Sequence, residues 1–428
     1  MALVSFPFDG EPYSFEIESE NLIEVLSPKP CTPLADLDYA IEQALDSPIG
    51  MKKLEDLFTP SDRVVIVSDD ITRLTPSDRI LPPMLKRLNG AGIPDSNICC
   101  IMALGTHRYM TEEEMAKKVG RAVYERIKVV NHEWRNKQAL LDMGRSSQGT
   151  PLTVNKLVAE ADVVIGLGSI VPHHIPGFSG SSKIIQPGVC GANTTAETHL
   201  LSCGSGGDSF LGIPDNPVRQ DMDDMADMIG MNTIFNVVMD SHGGVMDLFF
   251  GEKRSAFLEG IKLATDIYGL TYNEVPDIVV SNSCPCDLDF WQSHKSLYPA
   301  QRMVKAGGVI VVCTPAPEGV SPVHTDLLDY ASWSSEEIKA GYRDGTIKNG
   351  VAAALATAWA IVREKADVIM YSPGIPESDK RRLGFSHAES IEEAVAEALR
   401  RQGPKARISV LTHAPDMLPI PIRALNGA

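Results

Sequence analysis

No stretch of the chain supplies the ~20 consecutive apolar residues that a membrane span needs, although 43% of its 428 residues are hydrophobic. The amino-terminal run Met1-Ala-Leu-Val-Ser-Phe-Pro-Phe-Asp9 lacks the basic segment of a secretory leader. The cytoplasm is therefore the expected compartment. Basic charge is scarce, with 39 Lys and Arg against 56 Asp and Glu and a net charge of −17. That balance argues against nucleic acid or an acidic membrane surface as a partner. Eight cysteines are scattered along the chain, and the tight pairs Cys99-Cys100 and Cys284-Pro-Cys286 lack zinc-knuckle spacing, so neither structural zinc nor a disulfide framework is expected. There is no internal repeat and no low-complexity tract.

What remains is the composition of an ordinary globular protein, longer than the size at which one core usually stops growing. Two domains are expected, 1–270 and 271–404, with the tail 405–428 folding back on the first. The class is α/β with parallel-type sheets and a cleft between the domains. Alternation around Asp9-Gly10 predicts a hairpin, and the apolar spacing from Pro33 predicts a helix that breaks near Pro48. Apolar runs at 63–68, 97–104 and 162–169 read as buried strands. Each ends in a polar loop before a helix, and the capping patterns place helix starts at Thr75, Thr111 and Thr194. Residues 233–239 and 245–250 read as two strands joined at Gly243-Gly244. The acidic positions on the intervening helix, 216–228, read as a solvated face. The pattern restarts at 277–281, followed by strands at 307–313, 367–371 and 407–411 and helices across 350–364 and 391–399.

In open α/β sheets ligands bind at the carboxyl ends of the strands. Three consecutive strand ends deliver Asp70-Ile-Thr72-Arg73, then Gly105-Thr-His107-Arg108, then Pro172-His173-His174. The third continues into Gly177-Phe-Ser179-Gly180-Ser-Ser-Lys183, whose small residues admit a ligand close to the backbone. Lys183, framed by Phe178, Ile184 and Ile185, is a candidate desolvated amine. A P-loop is disfavoured, since neither the glycine spacing nor the residue after Lys183 fits G-x-x-x-x-G-K-[ST]. A Schiff-base lysine enzyme and a histidine metal site for zinc or nickel, built from His107, His173, His174 and His199, both stay open. An all-histidine site leaves Lys183 unexplained.

Taken together, these motifs, with Gln292-Ser-His-Lys295 in the second half, resemble the nickel-pincer lactate racemase family. The resemblance covers most of the chain. It implies a nickel-pincer nucleotide, a pyridinium-3,5-bisthiocarboxylic acid mononucleotide carrying nickel, joined covalently to Lys183 and supplied by cofactor-synthesis enzymes. It implies His199 as the metal ligand and His107 and His173 as the acid/base pair. Thr72, Gly177, Ser179 and Gly180 fall on the cofactor side. Arg73 and Lys295 are expected to hold the substrate carboxylate or polarise the cofactor, and Asp70 to orient Arg73 or a histidine. Trp291, Gln292 and His174 fall on the substrate side.

The implied reaction is racemisation or epimerisation of a 2-hydroxy acid by reversible hydride transfer. Direct removal of the C2 proton would place a second negative charge beside the carboxylate, whereas hydride transfer gives a planar keto acid. Two departures touch the substrate end: Trp291 stands where the family's lactate enzymes have tyrosine, and residues 349–353, Asn-Gly-Val-Ala-Ala, lack the family's tryptophan. A substrate other than lactate is therefore expected, with a larger or more polar side chain. The alternatives are a cofactor carrier without racemase activity, which would need only Lys183 and His199, and a hydride-shuttling isomerase of a sugar acid.

Overall fold

The computed structural model describes residues 1–204 and 209–422. Two six-stranded sheets, each with helices packed on it, make an α/β protein as expected. In the first sheet the strands lie in the order Val245–Glu252, Thr233–Met239, Val163–Ser169, Val64–Asp69, Ile98–Ala103, Lys128–Asn131. All neighbours run parallel except Val245–Glu252, which turns back on Thr233–Met239 as a hairpin. Val64–Asp69 and Val163–Ser169 are buried at every position, the signature of parallel strands covered on both faces.

The chain enters this sheet at Val64–Asp69, builds two strands to one side, then returns to lay Val163–Ser169 on the other. Strand order reverses between these two neighbours, and a crevice opens at their carboxyl ends. The loops leaving them are Asp70–Arg73 and the segment from Pro172 to Lys183. The fold thus places the candidate residues at the switch point.

The second sheet repeats this logic. Its order is Ser386–Ala388, Asp367–Tyr371, Val309–Cys313, Ile278–Asn282, Ile408–Leu411, Leu22–Leu26, all parallel. Its reversal lies between Ile278–Asn282 and Ile408–Leu411, where Asn282 Nδ2 donates to the Thr412 carbonyl at 2.8 Å. Strand pairing departs from a simple cut at 270. Residues 22–26 join the second sheet, and the Ala2–Phe8/Glu11–Ile17 hairpin packs on Ile278, Val280 and Val311 of it. Residues 408–411 of the segment expected to fold back on the first half also belong there. Among the described residues of that segment, Leu418–Pro421 is the strand that returns, pairing with Gly269–Tyr272 at the junction.

Three local expectations change. Thr75 does not cap a helix; the helix Ser77–Gly90 starts after Pro76, and the Thr75 hydroxyl donates to Asp69 Oδ2 at 2.5 Å. Thr194 lies inside the helix Ala192–Ser202, because its Oγ1 accepts the Thr153 amide at 3.0 Å. The helix Pro217–Met228 is not a purely solvated face, since Arg219 and Asp221 are buried. Asp221 accepts the Ser146 hydroxyl, while Arg219 turns inward and donates to the carbonyls of Phe178 and Gly180. Its guanidinium also lies 4.5 Å above the Phe257 ring.

Arg219 therefore braces the lysine loop from behind. Two charge-assisted hydrogen bonds from a buried group contribute about 1.5–3 kcal/mol each, so Arg219→Ala is expected to lower stability by about 3 kcal/mol or more. Urea denaturation checks this; an unchanged midpoint would show that the loop holds without the brace.

Candidate active site

The crevice of the first sheet opens into a cavity of about 140 Å³. Its floor is Asp70, Thr72 and Arg73 from the first loop and His107 from the second. His173, His174, Ser179, Gly180 and Lys183 come from the third, and His199 from the following helix. Trp291, Gln292 and Lys295 close it from the second half, with Val351 and Leu355 of the helix Gly350–Lys365. Gly177 does not line the cavity. A Cβ there would stand 2.0 Å from the Ile213 carbonyl oxygen, and its φ is +81°, so the glycine is needed for loop packing. Gly180 does line it, and a Cβ there would meet Ile170 at 2.8 Å and Asn236 at 2.9 Å.

Asp70 organises the first loop. Its Oδ2 lies 2.7 Å from His107 Nδ1 and its Oδ1 accepts the Thr72 amide at 3.0 Å. Burial alone would raise the Asp70 carboxyl, but His107, Arg73 and the Thr72 hydroxyl outweigh it and hold it below the usual carboxylate range. An ionised Asp70 makes His107 Nδ1 the protonated nitrogen of the neutral ring, leaving the Nε2 lone pair free. Trp134 Nε1 donates to the His107 carbonyl at 3.0 Å and fixes the backbone. Beneath the loop, Lys118 pairs with Asp69 at 2.8 Å and donates to the Arg73 carbonyl at 2.8 Å.

His173 is held differently. Pro172–His173 pairs with Gly177–Phe178 as a minimal hairpin, and Ser179 Oγ ties it back to the strand end through the Ser169 carbonyl at 2.7 Å. The Ile175 amide donates to His173 Nδ1 at 3.2 Å, which puts the ring proton on Nε2. Burial, then Lys183 and His174, push its pKa well below the usual value, so the ring is neutral. His174 stacks on Tyr298 at 3.8 Å and on His173 at 4.6 Å. Its buried Nε2 has no partner among the described residues.

Lys183 sits on the short turn Ser181–Ile184. Burial, reinforced by Arg73, Lys295 and Arg219, lowers its ammonium to about 7. Burial and Lys183 push His199 down to about 3, against a pull from the Thr195 carbonyl, with His107 adding a smaller push. His199 Nδ1 is buried without a hydrogen bond. Lys295 donates to Gln292 Oε1 and lies 4.0 Å from Cys286 Sγ; burial lowers its pKa, partly offset by Cys286. Among the described residues no cluster of three or more His, Cys, Asp or Glu is placed to hold a metal. The all-histidine metal site is thus not formed.

Comparison with known proteins identifies the family. Residues 8–209 match the lactate racemase N-terminal domain and residues 272–417 the lactate racemase C-terminal domain. The chain belongs to the lactate racemase family. The lactate racemase of Thermoanaerobacterium thermosaccharolyticum is 30% identical over 325 residues, covering 74% of this chain and 76% of that protein. That of Lactiplantibacillus plantarum is 27% identical over 421 residues, covering 96% and 98%. The structure of the lactate racemase apoprotein from T. thermosaccharolyticum superposes with a TM-score of 0.87 at 26% identity, covering 98% of this chain and all of that one. Like its named relatives, this family member is an isomerase. Among the described residues no helix is long and apolar enough to cross a membrane.

Every site residue expected from the sequence other than Gly177 reaches one cavity. The sequence reading missed Arg219, Lys118 and Asp416. The last is a half-buried carboxyl raised to about 7 by burial, against the pull of Arg73 and Lys295. A lysine near 7 is largely neutral above that pH and charged below it, whereas an ordinary lysine is neutral only above about 10. Competitive acylation with limiting acetic anhydride is expected to modify Lys183 with a midpoint near pH 7, read by peptide mass spectrometry. A midpoint near 10 would contradict a desolvated amine.

Proposed function

We propose that this protein inverts the configuration at C2 of a 2-hydroxy acid, with His107 and His173 as proton carriers and Lys183 as the covalent attachment point of a nickel-pincer nucleotide. The observation that carries the reading is the pairing of His107, oriented by Asp70, with His173, oriented by the Ile175 amide, in the cavity that also holds Lys183 and His199. His107 presents a base at Nε2, and His173, neutral at rest with its proton on Nε2, would serve as proton donor only after its ring takes up a second proton.

The residues fit the implied cofactor. An amine near neutrality without a hydrogen-bond acceptor among the described residues suits acylation by a thioacid group. His199 Nδ1, buried without a well-formed hydrogen bond, is available to a metal that arrives with its other ligands. When bound, the group supplies a reversible hydride acceptor. The chain's own residues do the remainder. Arg73 and Lys295 neutralise the substrate carboxylate, with Arg73 the better bidentate partner. His107 Nε2 takes the hydroxyl proton, and Asp70 stabilises the imidazolium that forms. Trp291, Val351 and Leu355 exclude water from the reacting carbon. Maturation enzymes must supply the group, so the chain produced alone is expected to lack it.

Co-production with cofactor-synthesis enzymes should add a nickel-containing mass that maps to Lys183, and Lys183→Ala should abolish it. An intact fold with no adduct would sink the proposal. Borohydride trapping of a keto acid on Lys183 would instead favour a Schiff-base enzyme. With the adduct in place, His107→Gln and His173→Gln should each lower kcat by about 10²–10⁴. Deuterium at C2 should be retained through inversion; washout into solvent would indicate proton abstraction.

A further inference from the structure

A second hollow, of about 300 Å³, lies beside the first. The two share Asp70, Thr72, Thr106, His107, Trp291 and Gln292, so the space continues past the base. Beyond those residues most of the exposed surface is apolar, from Ile71, Met110, Leu288, Pro322 and Val323, although Arg108, Asp289, Glu318, Ser321 and His324 line it too. One wall is flat: Trp291 stacks on His324 at 4.2 Å and 18°, and His324 faces Trp134 at 6.4 Å and 29°. His324 adds no charge, because burial lowers its pKa to about 4 and Asn349 Nδ2 donates to its Nδ1 at 3.0 Å.

The charges argue against a polar occupant. Arg108 is the cation of this lining, and Glu114 engages both its terminal nitrogens at 2.9 and 2.8 Å. Asp289 and Glu318 add negative charge at the same wall. A second carboxylate would enter against Asp70, Asp289 and Glu318, with no free cation among the described lining residues. A polyhydroxylated chain could bond Ser321, Asp289 and Glu318, but would leave its other hydroxyls against the apolar surface of Ile71, Met110, Leu288, Pro322 and Val323. Benzene fills an apolar cavity of about 150 Å³, so a phenyl group fits this one with room to spare.

We infer that this hollow is a side-chain subsite that takes an apolar, preferentially aromatic, substituent at C3 of the substrate. The inference rests on the reading of the site as a 2-hydroxy acid centre, and it selects among such acids. A methyl group leaves the hollow unfilled, and a dicarboxylate is repelled from it. Trp291, one of the departures from the family's lactate enzymes, lines both spaces, and Val351, within the departing stretch 349–353, lines the neighbouring cavity.

Calorimetric titration of the purified chain without cofactor tests the subsite directly, with 3-phenyllactate, lactate and malate as probes. 3-Phenyllactate should bind at least about 10-fold more tightly than either of the others, the discrimination an apolar pocket typically gives. Equal or tighter binding of lactate or malate overturns the inference. Val323→Trp, which fills the hollow, should remove the preference for 3-phenyllactate over lactate. Leu288→Arg, at a position 49% exposed and so safe for folding, should supply the missing cation and raise malate affinity about 10-fold. If neither variant moves the preference, the subsite is not where it is placed here. In the loaded enzyme, kcat/KM should follow the same order. Faster turnover of lactate or malate than of 3-phenyllactate defeats the subsite but keeps the racemase. Tight 3-phenyllactate binding with no turnover of any 2-hydroxy acid keeps the subsite but defeats the racemase.

Discussion

Arg73, Lys183 and Lys295 bring like charge into one small cavity, and their mutual repulsion sets the terms for everything around them. Burial and the neighbouring cations lower both lysines, Lys183 to about 7. The protein thus limits the cost of crowding by letting an amine go neutral instead of pairing it. The carboxylates in the lining do not cancel the field. Asp69 is engaged by Lys118 and Thr75, and Asp70 by His107 and Thr72. A chain of net charge −17 therefore keeps a cationic pocket at its centre, and an anionic ligand is the group that relieves it.

That pocket needs two sheets because one switch point cannot surround it. The first supplies Asp70, Arg73, His173 and Lys183 from the two loops flanking its reversal. The second has its own reversal between Ile278–Asn282 and Ile408–Leu411, and the loops there lead to Cys286, Lys295 and Asp416. The apolar cluster running from Met231 and Phe257 through Phe290 to Trp359 joins the layers behind the site. The cations can approach one another because this shared core, and not their own pairing, carries the cost.

Much of the site was legible because parallel strands announce themselves as apolar runs and the residues just after them fall at a known edge. Arg73, His107, His173 and Lys183 were found in this way. Arg219 was not, because an arginine on a helix rich in acidic residues looks solvated, and only the fold turns it onto the Phe178 and Gly180 carbonyls. Leu22–Leu26 escaped for a related reason: its partner, Ile408–Leu411, lies at the other end of the chain, and no local pattern encodes that pairing. Thr194 misled because a capping signature was satisfied by sequence while its hydroxyl was committed to Thr153. Gly177 misled because a glycine beside a lysine loop suggests ligand approach, whereas here the close neighbour is the Ile213 backbone.

The two histidines assigned to proton transfer are not equivalent at rest. Asp70 holds the His107 proton on Nδ1 and presents a basic Nε2, while the Ile175 amide holds the His173 proton on Nε2. Under the proposed reaction His173 acts as acid only when doubly protonated and as base at Nε2 only with its remaining proton on Nδ1, so either role requires a proton on Nδ1 in place of the Ile175 contact. The Ile175 contact, at 3.2 Å to a neutral ring, is a weak restraint compared with the 2.7 Å contact to an ionised carboxylate. Of the two tautomers, that of His173 is therefore the one that can switch. The proposed reversibility then depends on an asymmetry: one histidine locked by charge and the other held loosely enough to turn over with each enantiomer.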